Sequence, residues 1–282
     1  MRLLTINLLH GGFLPVVREN RRRTAARMAL LARALADLDP DVVAVQEALV
    51  ARAGSVADEL AARLGFAMRF AAANPSIVPP PVSDRISPAL RARIDDAIRA
   101  ALDFEEGVAV LSRLPIRDHA VHALPRPRFA LENRIALRCR VATARGDVDV
   151  WSVHLTRAGG GHDRQTRALA RLVLAESRGV PAFVLGDFNV ETGAPALRAF
   201  EDAGFVDAVR LAPPDGPALT AWQRVDAPAA TVSRRVDFCW LSPERPFSVS
   251  RSCIVLDRPG ADADGRPLWP SDHYGVLVEV AA

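Results

Sequence analysis

Short runs of Val, Ile and Leu recur along the chain, most of them closed by a polar residue, and stretches with helical spacing separate several of them. Leu3 to Ile6 ends at Asn7. The next stretch predicts a helix over 21–38 with Leu30, Leu31, Ala34 and Leu35 as its apolar stripe, stopped by Asp39-Pro40-Asp41. Val42-Val43-Ala44-Val45 then leads into Gln46-Glu47, and a second helix over 56–64 closes at Gly65. The second half repeats this order. Val148 to Val153 ends at His154, a helix is predicted over 164–177, Gly179-Val180-Pro181 breaks it, and Phe183-Val184-Leu185 leads into Gly186-Asp187. Further strands are predicted over 108–111, 135–141, 236–241, 249–256 and 274–280. Runs with so little apolar–polar alternation need cover on both faces. The pattern therefore predicts a mixed α/β protein with two β-sheets packed face to face and helices outside.

Two segments interrupt this order. Residues 74–104 carry Pro75, Pro79, Pro80, Pro81 and Pro88 ahead of a predicted helix over 88–102, so they cannot supply a central strand and read as a loop, a lid or a substrate wall. Residues 212–230, with Pro213-Pro214, Gly216-Pro217 and Pro228, are expected to flank the same rim.

Composition narrows the class without identifying a partner. Half of the 282 residues are apolar, enough for a sizeable core, and a single domain over 1–282 is expected. Wholesale disorder is excluded. The net charge is +3, and all 36 basic residues are arginine, an excess too thin to argue for nucleic acid. The densest basic run, Arg18, Arg21, Arg22, Arg23 and Arg27, reads as a solvated helix face. Cys139, Cys239 and Cys253 fit a reducing compartment better than a disulfide framework. With no recognisable signal peptide and no apolar run near the ~18 residues of a membrane span, the expectation is a soluble, cytoplasmic protein, monomeric by default.

The polar residues at the ends of the runs are Asn7, Glu47, His154, Asp187 with Asn189, Asp237, and Asp272 with His273. Taken singly most have an ordinary reading: Asn7 as a turn former, Glu47 as the first exposed residue past a strand, His154 as a core histidine, and the segments 186–189 and 271–273 as turns. Asp237 differs. Flanked by Val236 and Phe238, it is expected to be buried on a strand, where a carboxylate needs a cation, a histidine or a set of donors to hold its charge. His273 is the candidate histidine. As a set, the residues combine hard oxygen ligands (Asn7, Glu47, Asp272), imidazoles (His154, His273) and proton-accepting carboxylates (Asp187, Asp237). Oxygen donors without a nearby cysteine favour Mg²⁺ or Mn²⁺, and a cation would relieve the repulsion among crowded carboxylates.

The ordered series Thr5-Ile6-Asn7, Val45-Gln46-Glu47, Ser152-Val153-His154-Leu155, Gly186-Asp187-Phe188-Asn189, Arg235-Val236-Asp237-Phe238 and Ser271-Asp272-His273 resembles the motif series of the endonuclease/exonuclease/phosphatase superfamily. The resemblance spans residues 5 to 273. It implies a four-layered α/β sandwich, two mixed sheets flanked by helices, and metal-dependent hydrolysis of a phosphoester. It further implies Glu47 as the principal metal ligand, with Asn7 beside it and Asp272 near the metal or its water shell. Asp187 would orient or deprotonate the attacking water, and Asn189 would hold that water or a phosphoryl oxygen. His154 and His273 would stabilise charge on the phosphorane, His273 being held by Asp237.

The substrate is expected to be a small-molecule or lipid-like phosphoester, with a nuclease as the alternative and a non-catalytic binding protein as the rival from another class. The single tyrosine, Tyr274, is not in the segment after His154 where relatives resembling DNA-repair nucleases usually carry one. That segment holds Arg157, a run of glycines and Arg164-Gln165, which makes Arg157 and Arg164 candidate substrate-binding residues. Trp151 and Trp240 read as core, whereas Trp222 and Trp269, in Pro-rich loops, could stack a base or face a membrane.

Overall fold

The computed structural model describes residues 1–9, 21–51, 54–73, 85–87, 89–90, 93–94, 97, 104–126, 133–157, 161–244 and 247–281. Most of the insertion at 74–104, with its predicted helix, lies outside these residues, as do Arg18 and residues 158–160.

In the first sheet, β1 (Arg2–Asn7) runs parallel to β2 (Val42–Ala51), and α1 (Arg21–Leu38) connects the two. The short β3 (Gly54–Ser55) folds back on the end of β2 and leads into α2 (Val56–Leu64). Beyond β2 lie β5 (Phe104–Ser112) and then β4 (Ala67–Ala72); beyond β1 lie β15 (Gly275–Ala281) and then β12 (Ser248–Val255), all antiparallel. The second sheet has the order β10 (Val206–Asp207), β11 (Asp237–Leu241), β9 (Ala182–Asp187), β8 (Gly146–His154), β7 (Ile135–Thr143), β6 (Ile116–Ala123). Its single parallel pair is β8–β9, connected by α3 (His162–Glu176). A two-stranded ribbon, β13 (Gly260–Ala261) with β14 (Pro267–Leu268), stands apart from both sheets.

Neighbouring residues of one strand serve different layers. Leu3, Val42 and Val110 of the first sheet meet Leu137, Val150 and Leu185 of the second. Their immediate neighbours Leu4, Val43 and Leu111 pack on the other face with Leu31 and Leu35 of α1 and Leu60 of α2. The outer face of the second sheet sets Trp151, Val184 and Trp240 against Leu169 and Val173 of α3. Each such side chain stabilises the fold by roughly 1.5–3 kcal/mol, and burial on both faces explains the unbroken apolar runs. The expected four-layered α/β sandwich of two mixed sheets is the architecture found.

The pattern did not announce every element. β6 is an edge strand whose burial alternates between half-buried and exposed, so Ile116–Ala123 never forms an apolar run. α3 begins at His162, two residues earlier than predicted. Cys139 and Cys239 are buried, Cys253 is half-buried, and none is in a disulfide. Among the described residues no helix is long and apolar enough to cross a membrane.

Gly186 carries a constraint that bears on the site. Its φ is +154°, and a Cβ there would lie 1.9 Å from the Val153 carbonyl oxygen on β8. Only a residue without a side chain lets β9 approach β8 so closely beside Asp187. Gly186→Ala should destabilise the protein by about 2 kcal/mol or more through backbone displacement, read as a lowered Tm in thermal unfolding; an unchanged Tm would show that the strands can part without cost.

Candidate active site

A buried polar rung joins the two sheets beneath the site. Gln46 on β2 accepts a hydrogen bond from Thr5 Oγ1 at 3.1 Å and donates Nε2 to Ser152 Oγ on β8 at 3.3 Å. The Ser152 hydroxyl in turn donates to the Val45 carbonyl at 3.1 Å. All three side chains are fully buried, so the rung fixes how the end of β2 lies over the end of β8.

Strict alternation would send the Glu47 side chain to the helical layer with Val43 and Val45. Instead the β2–β5 register shifts between Gln46 and Ala48, leaving Glu47 as the extra residue of a bulge with φ +52°. The bulge turns its carboxylate onto Asn7, whose Nδ2 lies 3.1 Å from Glu47 Oε1. The same Nδ2 reaches across to the other sheet and meets Asp187 Oδ2 at 3.2 Å. Asn7 Oδ1 accepts the Leu9 amide at 3.0 Å, which holds the carboxamide in this orientation.

Asp187 is the meeting point. It ends β9, pairs in register with His154 at the end of β8 and with Asp237 at the start of β11, and is fully buried. Its Oδ1 accepts the Asn189 amide at 2.7 Å; Oδ2 lies 3.4 Å from His154 Nε2 and 3.9 Å from His273 Nε2. Burial pushes the Asp187 carboxyl up to about 7. The His273 charge opposes that rise, while Asp237 and Glu47 add to it.

His273 Nδ1 is 2.9 Å from Asp237 Oδ2, with both side chains at 0% exposure, so the pairing expected for a buried Asp237 is present. Burial alone would lower the imidazole; the Asp237 carboxylate beside it, helped by Asp187 and Asp272, instead raises it to about 10. The backbone around Asp237 is held from the Pro-rich segment: Thr220 Oγ1 accepts the Val236 and Asp237 amides at 3.1 and 3.3 Å, and the Tyr274 amide donates to Thr220 O at 2.8 Å. The 212–230 segment therefore does flank the site.

Asp272 is half-buried at the opening, with its carboxyl raised by burial, a rise that His273 opposes and Glu47 reinforces. Its neighbour Ser271 donates Oγ to the Asn7 carbonyl at 2.6 Å, tying the loop before β15 to the end of β1. Arg27 serves the same junction. Read from sequence as part of a solvated helix face, it is fully buried: Nη1 donates to Pro270 O at 2.8 Å and to Leu8 O at 3.4 Å. An arginine one turn from Leu31 on the apolar side of α1 was the available signal, because that spacing places both on one face.

The remaining predicted residues divide. Asn189, at φ +52°, joins the site through its backbone; its side chain donates Nδ2 to Leu155 O at 2.9 Å and accepts Arg157 Nε at 3.2 Å. Arg157 thus stands at the rim. Arg164 is exposed and donates Nη2 to Arg126 O at 3.4 Å. Its neighbour Gln165 is buried and takes the Thr156 amide at 2.9 Å, fixing the chain just past His154. Trp222 is 41% exposed, whereas Trp269 is buried, stacks on Tyr274 and donates Nε1 to Ala227 O, so it offers no surface to a base or a membrane.

Asp187, Asp237 and His273 bring ligand atoms within 4.8 Å of one another and could hold a metal ion. The proton that His273 keeps between two carboxylates already supplies positive charge there. Glu47 and Asp272, with the Asn7 carboxamide beside Glu47, form a second group of oxygen donors. Oxygen donors of this kind suit a hard divalent cation.

Asp187 and His273 give stability the same pH trend in metal-free protein. The folded state keeps the Asp187 proton that the unfolded chain releases from about pH 4, so stability falls toward pH 7. The His273 contribution is complete below about pH 6.5 and is lost as pH rises through about 10. In EDTA the Tm should fall from pH 6.5 to 10, and His273→Gln should flatten that fall; parallel profiles for wild type and variant would contradict the assignment.

A model of the endonuclease/exonuclease/phosphatase family matches residues 4–273. No curated protein matches the chain. Among solved structures, a family protein from Leptotrichia buccalis C-1013-b has a TM-score of 0.71 at 16% identity, with all of both chains covered. A mannosyl-6-phosphatase from Bacteroides thetaiotaomicron VPI-5482 has a TM-score of 0.72 at 17% identity, also over all of both chains. The human Nocturnin catalytic domain with bound sulfate anion has a TM-score of 0.68 at 18% identity, covering 100% of this chain and 93% of that one. These likenesses concern the fold, and the family match spans every residue of the site just described. The chain belongs to the endonuclease/exonuclease/phosphatase family, whose members are generally phosphoester hydrolases.

Proposed function

We propose that this protein is a Mg²⁺- or Mn²⁺-dependent hydrolase that cleaves a small-molecule or lipid-like phosphoester by attack of water. The observation that carries the reading is the position of Asp187, buried between the Asn7–Glu47 pair on one side and the two imidazoles on the other. Glu47 and Asp272, with Asn7 beside them, would hold the cation, which when bound supplies Lewis-acid polarisation of the phosphoryl group.

Everything else falls to the chain's own side chains. A carboxyl near 7 can take a proton from water at neutral pH, so Asp187 serves as the base that orients the nucleophile and receives its proton as the oxygen attacks phosphorus. The Asn189 amide on Oδ1 keeps that carboxylate aimed. His273 stays protonated at neutral pH, and its Nε2 donates to negative charge growing on the phosphorane; Asp237 fixes the ring by its hydrogen bond to Nδ1. His154 approaches the same centre from β8, and its imidazole is the second donor. Asn189, whose side chain serves Leu155 and Arg157, supports the site rather than the water itself.

Phosphate release with Mg²⁺ should be lost on chelation and restored by Mg²⁺ or Mn²⁺. Asp187→Asn and His273→Ala should each lower kcat by about 10²-fold or more with KM little changed, because both act on charge present in the transition state. Wild-type kcat in either variant would remove that residue from the mechanism. Bis-p-nitrophenyl phosphate assayed beside a plasmid separates substrate classes: nicking that exceeds ester cleavage and vanishes in Glu47→Ala would make the protein a nuclease. Absence of both hydrolysis and cation binding would make it a non-catalytic member of the fold.

A further inference from the structure

Trp222, Arg157 and Arg234 form a cluster at the rim that the reaction above does not use. The guanidinium carbons of Arg157 and Arg234 each lie 5.3 Å from the Trp222 ring centroid. The indole is held against the site by its neighbours: the Gln223 amide donates to Asp272 O at 2.6 Å, and Ala221 bridges both His273 and Arg234. Arg157 is joined to Asn189, two residues from Asp187, and Arg234 pairs with Glu191 at 3.1 Å.

The two cations of this cluster are matched unequally. Other arginines near a carboxylate are matched: Arg138 and Arg140 share Asp149, Arg235 pairs with Asp207, and Arg113 with Asp39 and Asp41. At the rim Glu191 pairs with Arg234 at 3.1 Å, whereas Arg157 hydrogen-bonds a neutral carboxamide and, among the described residues, meets the Asp272 carboxylate only through its charge, without an ion pair. The arrangement brings two cations to one ring, at the mouth of a site whose depths are acidic, and a guanidinium with Nη donors to offer is suited to bidentate recognition of phosphate or carboxylate.

We propose that Arg157, Arg234 and Trp222 form a subsite for a second anionic group of the substrate, a phosphate or carboxylate carried beside the scissile phosphoester. This rests on the hydrolase reading and narrows it: small bisphosphates and phosphate–carboxylate compounds fit, whereas phosphodiesters with a cationic headgroup meet two guanidiniums. Trp222 is the positioning residue that keeps the two guanidiniums together.

The test has two independent arms. In metal-free protein, inorganic pyrophosphate is titrated while tryptophan emission is followed; Trp222 is the exposed indole of the four, Trp151, Trp240 and Trp269 being buried. A saturable change that weakens at least fivefold in Arg157→Gln and in Arg234→Gln, and disappears in Trp222→Phe, is the expected result. No change in wild type, or equal titrations in all variants, overturns the subsite whatever the activity. In the second arm, phosphate release from fructose 1,6-bisphosphate and fructose 6-phosphate is compared with Mg²⁺. The kcat/KM ratio should favour the bisphosphate about tenfold and collapse toward one in Arg234→Gln. A ratio that does not change with the substitution overturns the subsite. Failure to cleave either ester, with the titration intact, counts against the hydrolase reading alone.

Discussion

A carboxyl group with no exposed surface sits where the two sheets meet, and the local structure around it serves to hold it there. Asp187 ends a central strand of the second sheet, yet one of its hydrogen bonds comes from Asn7 in the first. Isolated burial of that charge would be prohibitive, so the fold surrounds it with an amide, a backbone N–H and two imidazoles. The Gln46–Ser152 rung beneath and the close approach of Gly186 to Val153 keep these groups in reach of one another.

The same geometry sorts four carboxylates into different environments. Asp237 faces an imidazole and holds its proton; Asp187 faces two imidazoles and an amide, and burial brings its carboxyl near neutrality. Glu47 stands with the Asn7 carboxamide, and Asp272 is half-buried at the opening. In the proposed mechanism environment rather than residue type would separate base, orienter and cation ligands, and each environment comes from the end of a different strand or loop.

The layered fold was legible because both faces of its strands are buried: alternate residues such as Val42 and Val43 serve different cores, and the resulting apolar runs end at Asn7, His154 and Asp187. Asp237 was legible as a carboxylate inside such a run. Other parts were not. β6 exposes alternate side chains and leaves no run to read, and Glu47 depends on a bulge that no local sequence pattern marks. Arg27 looked like one more surface cation because charge clustering hid its place on the apolar face of α1. The Trp222 cluster joins residues 157, 222 and 234, which share no motif and meet only in the folded chain.

The central claim is that cation and proton occupy separate places, the cation with Glu47 and Asp272, the proton between Asp237, His273 and Asp187. Anomalous scattering from a crystal of the protein grown with Mn²⁺ measures this directly. The account predicts an anomalous peak within coordination distance of the Glu47 carboxylate with His273 off the metal. A peak bound by His273 and Asp237 would contradict it.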